Sequence, residues 1–253
     1  MRTGYYTGAL ISLNRQSTEG LKLNIVERLV ISKSTSSRSE VRKSEGLRHL
    51  IALKFQTTST KEDKSTNDTE EEIIEFAAVV LSLETENIVA AFHQYVMPTE
   101  RTSLSSYCIQ STGVSQEAVD NGVPLKTCLM LYTNWLVKLE KDVGLKLPSK
   151  QDPKSPVTIP VTWSDWDLGT CLPVEARRKR LVYVKHLSTW IDLRSLWIKN
   201  YNQVPESLKD AATRLKLKWK EKEYVGLEQA TNIANLAMAM HEKGHQLKYT
   251  SKS

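Results

Sequence analysis

Short apolar runs separated by polar breaks organise the chain from His49 onward. "HLIALKF" (49–55) is continuous enough for a buried strand, and Lys54 interrupts it near its end. "IIEFAAVVLSL" (73–83) and "ENIVAAFHQYVMP" (86–98) read as two longer strands joined at "ETEN", a hairpin signal, with Pro98 closing the second. The period then changes to that of helices. "SLSSYCIQST" opens on a Ser/Thr cap and stops before Gly113, and "SQEAVDNG" carries Ser115 and Glu117 in its first turn and stops at Gly122. Residues 124–142 place Leu125, Cys128, Leu129, Tyr132, Leu136 and Leu139 on one stripe of an amphipathic helix. After the Pro/Lys/Ser-rich stretch "GLKLPSKQDPKSP", residues 157–163 form a further strand, and "SDWDLGTCL" starts a helix at Ser164. Residues 188–200, 205–216 and 226–243 read as helices. A three-strand meander, helices, one strand and more helices make an α/β fold with a mixed sheet.

The N-terminal part breaks this pattern. Residues 1–47 are expected to be a flexible, basic, Ser-rich arm, because "SKSTSSRSEVRKSEG" (32–46) has almost no apolar side chain to bury. The domain is expected at 48–248, with 249–253 as a tail. A hydrophobic content of 40% and a charged content of 25% are globular values. The net charge of +6 permits contact with nucleic acid without specifying it. Cys108, Cys128 and Cys171 contain no C-x-x-C pair, which argues for a reducing compartment and against structural zinc. The chain has no apolar run long enough to cross a membrane and no secretory start. It is therefore expected inside the cell, in cytoplasm or nucleus, with a mitochondrial location less favoured.

Five blocks carry a family resemblance: "EEIIEFAAVVLSLETENIVAAFHQYVMP", "LSSYCIQSTGVSQEAVD", "DWDL", "STWIDLRSLW" and "YVGLEQATNIANLA". Over about residues 48–248 the chain resembles the DEDDh 3′–5′ exonucleases, and among them the Eri type that includes the histone-mRNA 3′-end exonuclease. The resemblance implies a ribonuclease-H-like fold, a central mixed sheet flanked by helices. It also implies a site of four carboxylates and a histidine. Two metal ions about 3.5–4 Å apart clamp the attacking and leaving oxygens, carboxylates hold both ions, and the histidine deprotonates the attacking water.

Carried onto this chain, the first-strand acid pair falls on Lys54 and Gln56, either side of Phe55. The third acid falls on Asp167, the histidine on Tyr224 and the last acid on Gln229. Only Asp167 is kept. Glu228 is adjacent to the last position, but one residue along a helix turns it about 100° away. An ammonium repels Mg²⁺, an amide is neutral, and a tyrosine with an ordinary pKa of about 10 is a poor base at neutral pH. The two-metal Mg²⁺ site is therefore expected to be lost, with no cofactor and no catalysis. Lys54 is expected to stand in for the missing metal charge, approaching Asp167 to about 4 Å or less, with Gln56, Gln229 or Tyr224 donating further hydrogen bonds.

Arg177, Arg178, Lys179, Arg180 and Lys185 are the candidate phosphate contacts, with a solvated face as the plain alternative. "RLKLKWKEKE" around Trp219 adds lysines, whereas the acidic insertion at 62–72 is expected to repel a nucleic-acid end. Trp163 and Trp166 read as packing residues, Asp165 as a first-turn acid, and His93, His186, His241 and His245 as surface residues. The expected function is a catalytically inactive exonuclease-like domain that binds RNA, a protein partner or both, in RNA processing or silencing. The alternatives are an active exonuclease with an unusual site and a structural adaptor that binds no nucleic acid.

Overall fold

The computed structural model describes residues 46–59, 71–147, 157–183, 185–219 and 225–252. Its centre is β1 (Leu47–Thr57), which pairs antiparallel with β2 (Ile73–Ser82) on one side and parallel with β4 (Val157–Thr162) on the other. β3 (Asn87–Tyr95) continues the meander beyond β2, β5 (Thr189–Asp192) runs parallel to β4, and β6 (Ser251–Lys252) closes the far edge antiparallel to β5. The order across the sheet is β3-β2-β1-β4-β5-β6.

Helices cover both faces, so β1 is buried on both and reads as an apolar run rather than an alternating one. Ile51, Leu53 and Phe55 enter one core with Phe76, Phe92 and the inner stripe of α3 (Leu125–Asp142). Leu50 and Ala52 enter a second core with α5 (Leu193–Tyr201), α6 (Leu208–Arg214) and α7 (Val225–Glu242). Since side chains alternate along a strand, Lys54 and Gln56 fall on the α7 side. The two short helices read after the meander are α1 (Ser106–Thr112) and α2 (Gln116–Asp120). Their Ser105 and Ser115 side chains cap them, and Gly113 ends α1 at a left-handed φ of 71°.

Three elements differ from the expectation. Residues 189–192, read as the start of a helix, are strand β5; Asp192 ends it and caps α5 by accepting the Ser195 N–H at 3.0 Å. A four-residue strand leaves no period to read, and only pairing with β4 makes it a strand. The helix read from Ser164 begins as a π-helical turn, Trp166–Cys171, before α4 (Leu172–Arg178). The segment set apart as a tail is docked: the Thr250 hydroxyl accepts the Asp192 N–H at 2.6 Å, and the Thr250 N–H donates to the Trp190 carbonyl. Apart from the last few residues of the expected N-terminal arm, that arm lies outside the described residues. Among the described residues no helix is long and apolar enough to cross a membrane.

Candidate functional site

β1 pairs with β4 only as far as Ala52, while its pairing with β2 continues to Thr57. The carboxyl end of β1 is therefore open on the β4 side, and the Trp166–Cys171 turn folds against it. Such strand ends are where α/β sheets build their sites. Asp167 is buried there, and its Oδ1 accepts from the Lys54 ammonium at 2.9 Å and from the Phe55 N–H at 2.9 Å. The Lys54 side chain keeps 19% of its surface and its Nζ lies 5.1 Å from the centre of the Trp166 ring. The aromatic face and the carboxylate thus hold one cation between them.

The expected approach of Lys54 to Asp167 is met, but its supporting hydrogen bonds are not the expected ones. The third partner is the backbone of Phe55. Gln56 is buried with its Nε2 unpartnered, and the half-buried Gln229 side chain makes no hydrogen bond to the pair. Tyr224 lies outside the described residues. Asp165, read as a bare first-turn acid, accepts the Trp190 indole N–H at 3.1 Å and ties the turn to β5. Trp163 and Trp166 are half-buried and pack against the two cores, as expected.

Because the pair is nearly dry, removing one charge exposes the other to its desolvation cost. Breaking a fully buried pair costs about 3–5 kcal/mol, and the partial exposure of Lys54 lowers the figure to about 2–3 kcal/mol. Lys54→Met is expected to lose that much in urea unfolding. Adding Asp167→Asn, which keeps an acceptor for the Phe55 N–H, should restore at least about 1 kcal/mol. Simple additivity of the two substitutions would mean that the pair is not coupled.

The basic run is divided. Arg177, Arg180 and Lys185 are exposed. Arg178 is not a free phosphate donor, because it bonds Glu100 at 2.8 Å and the Glu71 carbonyl at 3.0 Å. Nor is Lys179, whose ammonium lies 2.6 Å from both Glu72 and Glu175, two buried carboxylates. Glu72 also accepts the N–H groups of Thr99, Glu100 and Arg101. Placed by sequence in a repelling acidic insertion, Glu72 is instead a neutralised anchor; residues 60–70 lie outside the described residues.

Two histidines read as surface residues are buried. His93 Nε2 lies 2.6 Å from Oε1 of buried Glu75, while burial lowers the pKa of His186 to about 4 and leaves it neutral at pH 7. Glu75 stands opposite Gln56 in the β1–β2 register, and its Oε2 has no partner. Gly226, in the first turn of α7, packs directly on this carboxylate: a Cβ there would sit 2.6 Å from it. The first turn of the helix thus lies directly against a buried carboxyl group. An acid inside an apolar strand was the available signal, since it needs a partner when buried. Among the described residues no three or more His, Cys, Asp or Glu side chains are grouped to hold a metal ion, and the three cysteines are buried and unpaired.

Comparison with known proteins points one way. The Exonuclease family (RNase_T) matches residues 57–149. The ERI1 exoribonuclease 2 of Xenopus laevis is 37% identical over 234 residues, covering 90% of this chain and 34% of that protein. The chain thus spans about a third of the length of that relative. The 3′–5′ exonuclease Snipper of Drosophila melanogaster is 35% identical over 199 residues, covering 78% of this chain and 70% of Snipper. Among solved structures, the nuclease domain of 3′hExo, a DEDDh family member bound to rAMP, superposes with a TM-score of 0.71 at 26% identity, covering 82% of this chain and 98% of that one.

Proposed function

This chain belongs to the ERI1-type 3′–5′ exonucleases, with their ribonuclease-H-like DEDDh fold, and we propose that it is a catalytically silent member that binds RNA, a protein partner or both in RNA processing. The observation that carries the reading is the 2.9 Å contact between the Lys54 ammonium and Asp167. A two-metal site gathers carboxylates so that two dications can be held close together. Here the one carboxylate kept from the family set already has a cation on it, bonded at hydrogen-bond length. Gln56 is a neutral amide where the family places a carboxylate, so it brings no charge to offset a dication. These residues do not fit a pair of Mg²⁺ ions.

The relatives' names and the rAMP of the 3′hExo structure support RNA as the ligand class. Exposed Arg177, Arg180 and Lys185 remain able to meet phosphate. A protein contact is favoured by α3, where Met130 and Val137 stand two turns apart and are 55% and 48% exposed. Buried unpaired cysteines fit a reducing intracellular compartment.

The test is degradation of 5′-labelled single-stranded and stem-loop RNA in Mg²⁺ or Mn²⁺, with Asp167→Asn as the control. The natural chain and the variant are expected to leave the RNA equally intact. Degradation that the substitution abolishes would instead establish an active enzyme. RNA affinity is expected to fall with salt and to be unchanged by a metal chelator.

A further inference from the structure

A cleft of about 740 Å³ opens between α5 and the segment that follows α7. It lies at the β5–β6 edge of the sheet, away from the Lys54–Asp167 pair, which is held at the end of β1. Lys199 on α5 and Lys248 on the opposite wall line it, together with Asn200, His245, Gln246 and Tyr249. No carboxylate lines the cleft, and neither lysine has an ion-pair partner among the described residues. Two lysines on the walls of a space that no carboxylate of the described residues lines make it electropositive, and that selects an anionic occupant. The helix ends nearby do little to oppose this. The Asn202 N–H closes onto the Ile198 carbonyl at the end of α5, and the Gly244 and His245 N–H groups close onto His241 and Met240 at the end of α7.

Tyr249 narrows the class of anion. The residue is 43% exposed. The ring is therefore open to solvent. The wall that carries it is fixed through the two Thr250 bonds to β5 and the β6 pairing. Exposed lysines beside an open aromatic ring are the components of a single-strand nucleic-acid groove, in which cations track the backbone and a base stacks on the ring. The volume lies within the range of about 300–1,000 Å³ that holds a ligand of nucleotide size.

We propose that this cleft is a second contact for single-stranded RNA, with the phosphodiester between Lys199 and Lys248 and a base against Tyr249. The contact is sequence-tolerant, because stacking and charge read no base edge. It does not depend on whether the β1 cleft cuts RNA.

The experiment is fluorescence anisotropy of labelled twelve-nucleotide oligo(A) and oligo(U) on the full chain, at low and moderate salt. Lys199→Glu combined with Lys248→Glu is expected to weaken binding at least about tenfold and to flatten its salt dependence, because two phosphate contacts are lost. Tyr249→Ala is expected to weaken oligo(A) binding about threefold or more with the salt dependence unchanged, and Tyr249→Phe to retain it. These positions are exposed, and thermal melts matching the natural chain confirm that the variants fold. Arg180→Glu combined with Lys185→Glu, both exposed, serves as the separate arm for the basic run of the first reading: a loss there alone, with the Lys199/Lys248 pair silent, overturns this proposal and leaves the first reading standing. Unchanged affinity in the lysine double variant overturns it too. So does the absence of any RNA binding, AMP binding as tightly as the oligonucleotide, or the double variant losing only an acidic peptide such as oligoglutamate.

Discussion

Replacing Lys54 by aspartate, Gln56 by glutamate, Tyr224 by histidine and Gln229 by aspartate is expected to give the chain Mg²⁺-dependent 3′–5′ exonuclease activity. The change removes the ammonium bonded to Asp167 at 2.9 Å and supplies the carboxylates and the base that the family mechanism uses. Against the natural chain, the rate of shortening of a 5′-labelled RNA should rise at least about a thousandfold, equivalent to about 4 kcal/mol of barrier. Stability offers an independent readout. Without metal, an aspartate at position 54 faces Asp167 as a like charge in a nearly dry site, so the variant should melt below the natural chain. Mg²⁺ should then raise its Tm, because only the folded state gathers the ligands, and should leave the natural chain unmoved. A variant whose Tm ignores Mg²⁺ would show that the fold no longer presents these positions to a metal. Nuclease activity in the natural chain equal to that of the variant would overturn the proposal of a silent site.

Glu72→Ala is expected to cost about 4 kcal/mol or more in denaturant unfolding. Glu72 is fully buried, and its loss leaves three backbone N–H groups unpaired and takes one of two carboxylates from Lys179. Glu72→Gln keeps the shape and removes the charge, so about 2 kcal/mol is expected in denaturant unfolding. The pH dependence follows from opposite shifts at the two acids. Burial by itself would raise the pKa of Glu72, but the Lys179 ammonium and the Arg101 and Thr99 N–H groups outweigh it and hold the carboxyl below its ordinary 4.5. Burial wins at Glu175, which shares the same ammonium and has only the Ile73 N–H besides, so its carboxyl is raised. A lowered acid contributes stability that is complete above its unfolded value and disappears as pH falls through its folded value. A raised acid contributes in the opposite sense, losing its part as pH climbs from the unfolded to the folded value. Acid unfolding below about pH 4.5 should therefore be shallower in Glu72→Gln than in the natural chain. Parallel acid curves would show that Glu72 does not titrate on unfolding.

What the chain determined by itself was local. The buried run at 49–55, the hairpin between the next two strands, the Ser caps and Gly113 stop of α1, and the stripe of α3 all depend on neighbours within a few residues. Those neighbours are legible because steric and hydrogen-bond preferences act at that range. The Lys54–Asp167 pair was legible for a different reason. The family pattern supplied the meeting of two segments, and the cost of a lone buried carboxylate supplied the need for a cation. The tertiary structure alone decided which charges were free. Lys179 and Arg178 look like Arg180 in the sequence, yet Arg178 is committed to Glu100 and the Glu71 carbonyl and Lys179 to Glu72, 78 to 107 residues away, a distance over which composition carries no signal; only the Glu175 partner of Lys179 is local. Glu75 and His93 likewise became a buried pair only when β2 and β3 aligned in register, and β5 became a strand only beside β4. Charge and apolarity are properties of a residue, but burial and partnership belong to the packed chain, because water is excluded only once distant segments have met.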